Sequence, residues 1–152
     1  MVDGREAQGA RTRERRVKSY VLDADALIRY FRRTHGSEIV YDLFLGAKAG
    51  QISLSISVVN LTEVVYVLSR YIHQQEAVRL VAATRSELEP MAVDEQVALD
   101  TAAVRIRYKL GLADCFAAEL AMRLGATLVT ADPEFEKLGR SLEVLTLPRH
   151  GG

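Results

Sequence analysis

Short apolar runs recur along this chain, separated by stretches whose apolar residues return with helical spacing. That alternation constrains the fold most strongly. Strands joined by helix-length connections pair in parallel, with right-handed crossovers that bury the helices on the sheet faces. The strand-like runs are "SYVLD" at 19 to 23, "QISLS" at 51 to 55, "LEPMAV", "ATLVT" and, at the C-terminal edge, "LEVLTL". Between them, helices are predicted over 26 to 33, over 38 to 49 closed by Gly50, and over 75 to 86. The stretch "SVVNLTEVVYVLSRY" makes a mostly apolar helix through Val58, Leu61, Val64, Val65, Val67 and Leu68. Asp94 caps a further helix running to Lys109, and "ADCFAAELAMRLG" is a helix ended by Gly125. The expected fold is α/β: a three-layer α/β/α sandwich with a central, mainly parallel sheet.

At 152 residues and 49% hydrophobic content this reads as one globular unit, burying about 70% of the surface of its unfolded chain. Its 20 Lys and Arg balance 20 Asp and Glu, so any site for a polyanion must come from local arrangement. The single Cys115 excludes an internal disulfide and fits a reducing compartment. Charge interrupts every apolar run well short of about 18 residues, and the start is polar, so no membrane span or secretory leader is expected. A soluble cytoplasmic protein is the expectation. Residues 1 to 18 lack apolar periodicity and carry six basic against three acidic residues, which reads as a disordered basic arm before a domain spanning 19 to 148.

In open parallel sheets ligands bind beyond the carboxyl ends of the strands. Asp23 stands at one such end, and Asp132 lies two residues past the strand "ATLVT". Glu63 sits on a helix with almost wholly apolar flanks, where burying an unpaired carboxylate would cost on the order of several kcal/mol. Otherwise it turns outward beside Asn60, one turn away. Asp114 occupies a first helical turn, where amide ends favour negative charge. Asp25, Asp94, Asp114 and Asp132 each also suit a helix cap or first turn, and Asp94, without a strand-end partner, is assigned that role. Four carboxylates from four segments gathered on one rim repel one another unless a hard cation or a shared proton removes charge. All-oxygen ligation selects magnesium or manganese over zinc. His35, His73 and His150 are scattered without ligand spacing.

These residues resemble the PIN-domain ribonucleases, and among them the VapC toxins of prokaryotic toxin–antitoxin pairs. "YVLDADALI" is similar to the family's first-strand segment, with its acid at Asp23, and "SISVVNLTEVVYVL" to the segment carrying the helical acid, Glu63. "KLGLADCFAAELAMRLGATLVTADPEFEKL" resembles the longest signature, supplying Asp114, Thr130 and Asp132. The similarity runs from Ser19 to Leu147 and leaves out the arm; Asp25 stands where the family often has a small polar residue. The resemblance implies hydrolysis of RNA phosphodiesters with Mg2+ or Mn2+ held by Asp23, Asp114 and Asp132. Glu63 is then a ligand through water or a base positioning the nucleophile. Asn60 and Thr130 orient carboxylates, and Asp25 assists or caps the next helix. Arg29, Arg32, Arg33, Arg105 and Lys109 are the candidate phosphate contacts, the alternative being a solvated helix surface. A homodimer and a cognate antitoxin that plugs the acidic groove are the implied partners.

Three other readings compete with this one. A haloacid-dehalogenase-type phosphatase also uses Asp-x-Asp after a strand, but "DADAL" lacks the turn that follows there, and the later lysine element is missing. A phosphate-accepting receiver domain needs a lysine after its last core strand, which "LEVLTLPR" does not offer. A PIN fold that binds RNA or a partner without cutting it is the remaining alternative.

Overall fold

The computed structural model describes residues 17–149. Five strands form one all-parallel sheet in the order β3-β2-β1-β4-β5, with β1 at Lys18–Leu22, β2 at Ile52–Ser57, β3 at Leu88–Met91, β4 at Thr127–Thr130 and β5 at Val144–Thr146. Six α-helices connect them: α1 (Ala24–Arg32), α2 (Ser37–Lys48), α3 (Val58–Leu68), α4 (Gln74–Ala83), α5 (Glu95–Tyr108) and α6 (Leu112–Leu124). A 3-10 helix, Pro133–Ser141, links β4 to β5. This is the expected three-layer α/β/α sandwich.

The layers follow from side-chain alternation along the strands. On β1, Leu22 packs with α1, α2, α3 and α4 on one face, while Val21 packs with α6 and the 3-10 helix on the other. On β4, Val129 joins the first cluster and Leu128 the second. All four are fully buried. Such central parallel strands are apolar on both faces, and each buried Leu contributes about 1.5–3 kcal/mol. Truncating Leu22 to Ala would therefore remove about 2–5 kcal/mol. Pro90 lies in β3, at the sheet edge, where a missing N–H leaves no inner ladder bond unmade.

Caps explain where the observed elements depart from the predicted ones. Asp23, not Asp25, caps α1, so that helix begins at Ala24 rather than 26. β2 extends to Ser57, whose hydroxyl then accepts from the Val59 N–H and starts α3. Asp94 caps α5 as expected, accepting from the Val97 N–H at 2.9 Å. Gly125 closes α6 at φ 62°, a conformation glycine adopts without strain. β3 stops at Met91, short of the predicted 93, and α4 ends at Ala83 rather than 86. The 3-10 helix was not anticipated: Pro133 opens it and Gly139, at φ 53° and ψ −123°, breaks it before a helical period can register.

Val17 and Lys18 are the only residues of the proposed basic arm that are described, and Lys18 is the first residue of β1, paired opposite Ile52. Residues 1–16 lie outside the described structure, as does His150. Among the described residues no helix is long and apolar enough to cross a membrane.

Candidate active site

The site is assembled at the carboxyl ends of β1, the central strand, and its neighbour β4. Asp23 leaves β1 with its backbone N–H bonded to the Val129 carbonyl, which locks it beside β4. Its Oδ1 accepts from the Ala26 N–H at 2.8 Å and its Oδ2 from the Thr130 hydroxyl at 2.5 Å. Only 3% of Asp23 is exposed. Burial pushes its carboxyl up to about 7, with smaller upward pushes from Asp25 and Asp114; the two hydrogen bonds oppose the shift without cancelling it. Thr130 does two jobs, since its oxygen also accepts from the Asp132 N–H at 3.0 Å. Asp132 in turn caps the 3-10 helix, accepting from the Glu134 N–H at 2.9 Å.

Asp114 stands in the first turn of α6. Desolvation, followed by the charges of Asp132, Glu63 and Glu134, raises its carboxyl to about 6. Glu63 is exposed on α3, which corrects the premise of a buried carboxylate: it faces water and needs no compensation for burial. Asn60, one turn earlier, is fully buried, with its Nδ2 donating to the Ala113 carbonyl at 3.3 Å and its Oδ1 without a partner. It ties α3 to the residue before Asp114. Asp23, Asp25, Glu63, Asp114 and Asp132 all line one polar cleft of about 360 Å³, together with Arg29 and Arg149.

A family comparison fits this geometry. The PIN domain model matches residues 20–141. The chain belongs to the PIN domain family. PIN domains are, as a family, nucleases, hydrolases of phosphodiester bonds. Among solved structures, the fold is similar to VapBC2 from Rickettsia felis bound to a DNA fragment from its promoter, with a TM-score of 0.67 at 20% identity, covering 86% of this chain and 99% of that one. DNA-bound VapBC from Salmonella typhimurium follows, with a TM-score of 0.66, 20% identity and coverage of 86% and 98%. A toxin–antitoxin complex from Klebsiella pneumoniae gives 0.62, 21% identity and coverage of 84% and 96%. At such identities the likeness is one of fold. No curated protein shows significant similarity to the chain.

The donor chemistry of this PIN domain suits a hard divalent cation. Among the described residues no three Asp, Glu, His or Cys side chains stand together closely enough to hold a metal ion between them. Magnesium does not need such a cluster, because it keeps several waters and binds through one or two carboxylates. What the cleft shows is an excess of negative charge around two carboxyls held above their ordinary range, the condition a cation relieves. His35 and His73 do not line it.

The predicted phosphate contacts are mostly elsewhere. Arg29 lines the cleft but is bound to Asp25 at 2.8 Å and to the His35 and Pro148 carbonyls at 2.9 and 2.7 Å. Arg32 stacks over Tyr71, 4.0 Å from the ring centre. Arg33 closes α1 in the left-handed conformation and borders a larger groove of about 800 Å³, lined largely by Tyr30, Phe31, Tyr41, Phe44 and Leu45, which holds none of the four site carboxylates. Arg105 donates to the Leu110 carbonyl at 3.2 Å, and with Lys109 it flanks a separate hollow beside Ile106 and Phe116. Arg149 was missed. The available signal was its position just past the last strand, at the carboxyl edge where parallel sheets bind ligands.

Proposed function

We propose that this PIN domain is a metal-dependent endoribonuclease and the toxin of a toxin–antitoxin pair, restrained by a cognate antitoxin that covers the acidic cleft. The observation that carries the reading is the convergence of Asp23, Glu63, Asp114 and Asp132, from four separate segments, on one cleft. The fold likeness to toxin–antitoxin assemblies supports an antitoxin partner; a homodimer and a cytoplasmic setting are further parts of the proposal.

Asp23, Asp114 and Asp132 are the residues that would hold Mg2+ or Mn2+. The ion, when bound, supplies a water of lowered pKa and a charge that lets phosphate approach carboxylates. The chain's own groups do the rest. Asp23 is fixed at both oxygens, so it meets a ligand without reorganising. Thr130 keeps Asp23 and the Asp132 backbone in register through one oxygen. Glu63 is exposed and lines the cleft; in this reading it orients the attacking water and takes its proton at the carboxylate. Asp25 pairs with Arg29 and acts on the site only through charge.

The test is incubation of the purified protein with single-stranded and looped RNA in Mg2+, in Mn2+ and in excess EDTA. Cleavage is expected with either metal and none with the chelator. Full activity in EDTA would remove the mechanism. RNA bound in Mg2+ but left intact would make the chain a binding module instead.

A further inference from the structure

Building on the nuclease reading, we propose that Arg149 is the cleft residue that grips an RNA phosphate, and that Arg29 is a positioning residue that holds Arg149 in place. Two cations line the cleft. The Arg29 guanidinium is committed: its Nε donates to Asp25, its Nη1 donates to the His35 and Pro148 carbonyls, and its side chain is 17% exposed. With Nε and Nη1 bonded inside the protein, only the Nη2 donors of this largely buried side chain are left for a ligand. Arg149 differs on each count. It is exposed and, among the described residues, makes no ion pair within 4 Å, although five carboxylates line the same cleft.

Its backbone is nevertheless well anchored. The Leu147 N–H donates to the Thr130 carbonyl at 2.7 Å, docking the segment on the end of β4. One residue on, the Pro148 carbonyl is held by Arg29 at 2.7 Å. Arg149 therefore leaves a segment tethered on both preceding residues, one of the tethers being the same Thr130 whose hydroxyl holds Asp23. A free, forked cation is thus delivered to the rim of an acidic cleft, where a phosphate needs both attraction and a fixed orientation. The sequence-predicted cations do not compete, since Arg32, Arg33, Arg105 and Lys109 lie outside this cleft.

The experiment is steady-state cleavage of bulk cellular RNA in saturating Mg2+ at several KCl concentrations. Arg149→Ala should raise KM roughly tenfold with kcat nearly unchanged, the signature of binding shared by ground and transition states. The salt dependence of kcat/KM should become shallower by about 0.7–1 in log–log slope, one phosphate contact fewer. Arg149→Lys should fall between, keeping the charge without the fork. Arg29→Ala should reproduce the KM effect, and the double variant should be no worse than Arg149→Ala alone, because Arg29 acts through Arg149. If Arg29→Ala melts below assay temperature, Arg29→Lys replaces it in the cycle. An unchanged KM and salt slope in Arg149→Ala overturn the proposal, as do additive effects of the two arginines. A rise in Mg2+ affinity with KM unchanged would make Arg149 a counter-ion for the carboxylates, and also overturns it. If the parent leaves every RNA intact, the nuclease reading itself falls; if the parent cuts and Arg149→Ala cuts identically, only this inference does.

Discussion

Exchanging one oxygen for nitrogen at Asp114 separates a helix-start role from a metal role. Asparagine suits a helix start about as well as aspartate, so a purely structural Asp114 would leave stability and cleavage unchanged in Asp114→Asn. In the site described, metal-free Asp114→Asn should be as stable as the parent or slightly more so, because repulsion from Asp132 and Glu63 is relieved. Magnesium at a hundredfold excess over its dissociation constant should stabilise the parent by about 2.7 kcal/mol and the variant far less. Thermal melts with and without Mg2+, beside a cleavage assay, decide between them. Asp23 adds a pH signature. Its folded-state pKa of about 7 lies above the ordinary 3.8, so the native state keeps a proton that the unfolded chain has already released. In EDTA its contribution is fully present below the unfolded value and is lost as pH rises through about 7. Unfolding free energies of the parent and Asp23→Asn, measured by denaturant titration from pH 4 to 8, should diverge in the variant's favour by on the order of a few kcal/mol. A constant gap would show that Asp23 titrates normally. At this scale Asp23, Asp114 and Asp132 were legible because each marks a strand end or a helix start, and Glu63 because it interrupts an apolar helix. Glu63's exposure was not, since periodicity places a residue on a helix face without saying whether that face is covered.

Elements carry these side chains to each other, and α3 meets α6 through Asn60. Truncating Asn60 to Ala orphans the Ala113 carbonyl and empties a fully buried position, so a loss of about 1–3 kcal/mol is expected, or about 2–4 °C of Tm for each kcal/mol. Because the bond sits one residue before Asp114, Mg2+ affinity should weaken in the same variant, as a Mg2+ titration of Tm would register. An unchanged Mg2+ response with lowered Tm would confine Asn60 to packing. Strands and helices were legible because β-branched runs and 3.6-residue periods are written locally. Their ends were less so: Asp23 and Asp25 both suit a cap, and only the position of Ala24 in the folded chain decides between them. The segment after Asp132 was illegible because a 3-10 helix broken at Gly139 has no period to read.

For the molecule as a whole, the sequence reading of the N-terminal arm yields a direct test. Residues 1–17 lack an apolar face with which to join the core, so their deletion should leave Tm within a degree or two and alter RNA affinity only in a salt-dependent way. A large fall in Tm would show that the arm packs. Lys18 must stay, since it opens β1. The sheet order was not legible, because parallel pairing depends on which distant runs meet and no local pattern records that. That order has a consequence during synthesis. β1 is made first yet lies in the middle, and its partner β4 comes late: Asp23 and its hydroxyl donor Thr130 are 107 positions apart. While the ribosome is still short of β4, the central strand lacks a neighbour on one side, and Asp132 has not yet been translated. The carboxylate cleft is consequently assembled near the end of translation, and a nascent chain or truncated product that stops before the fourth strand carries no complete one.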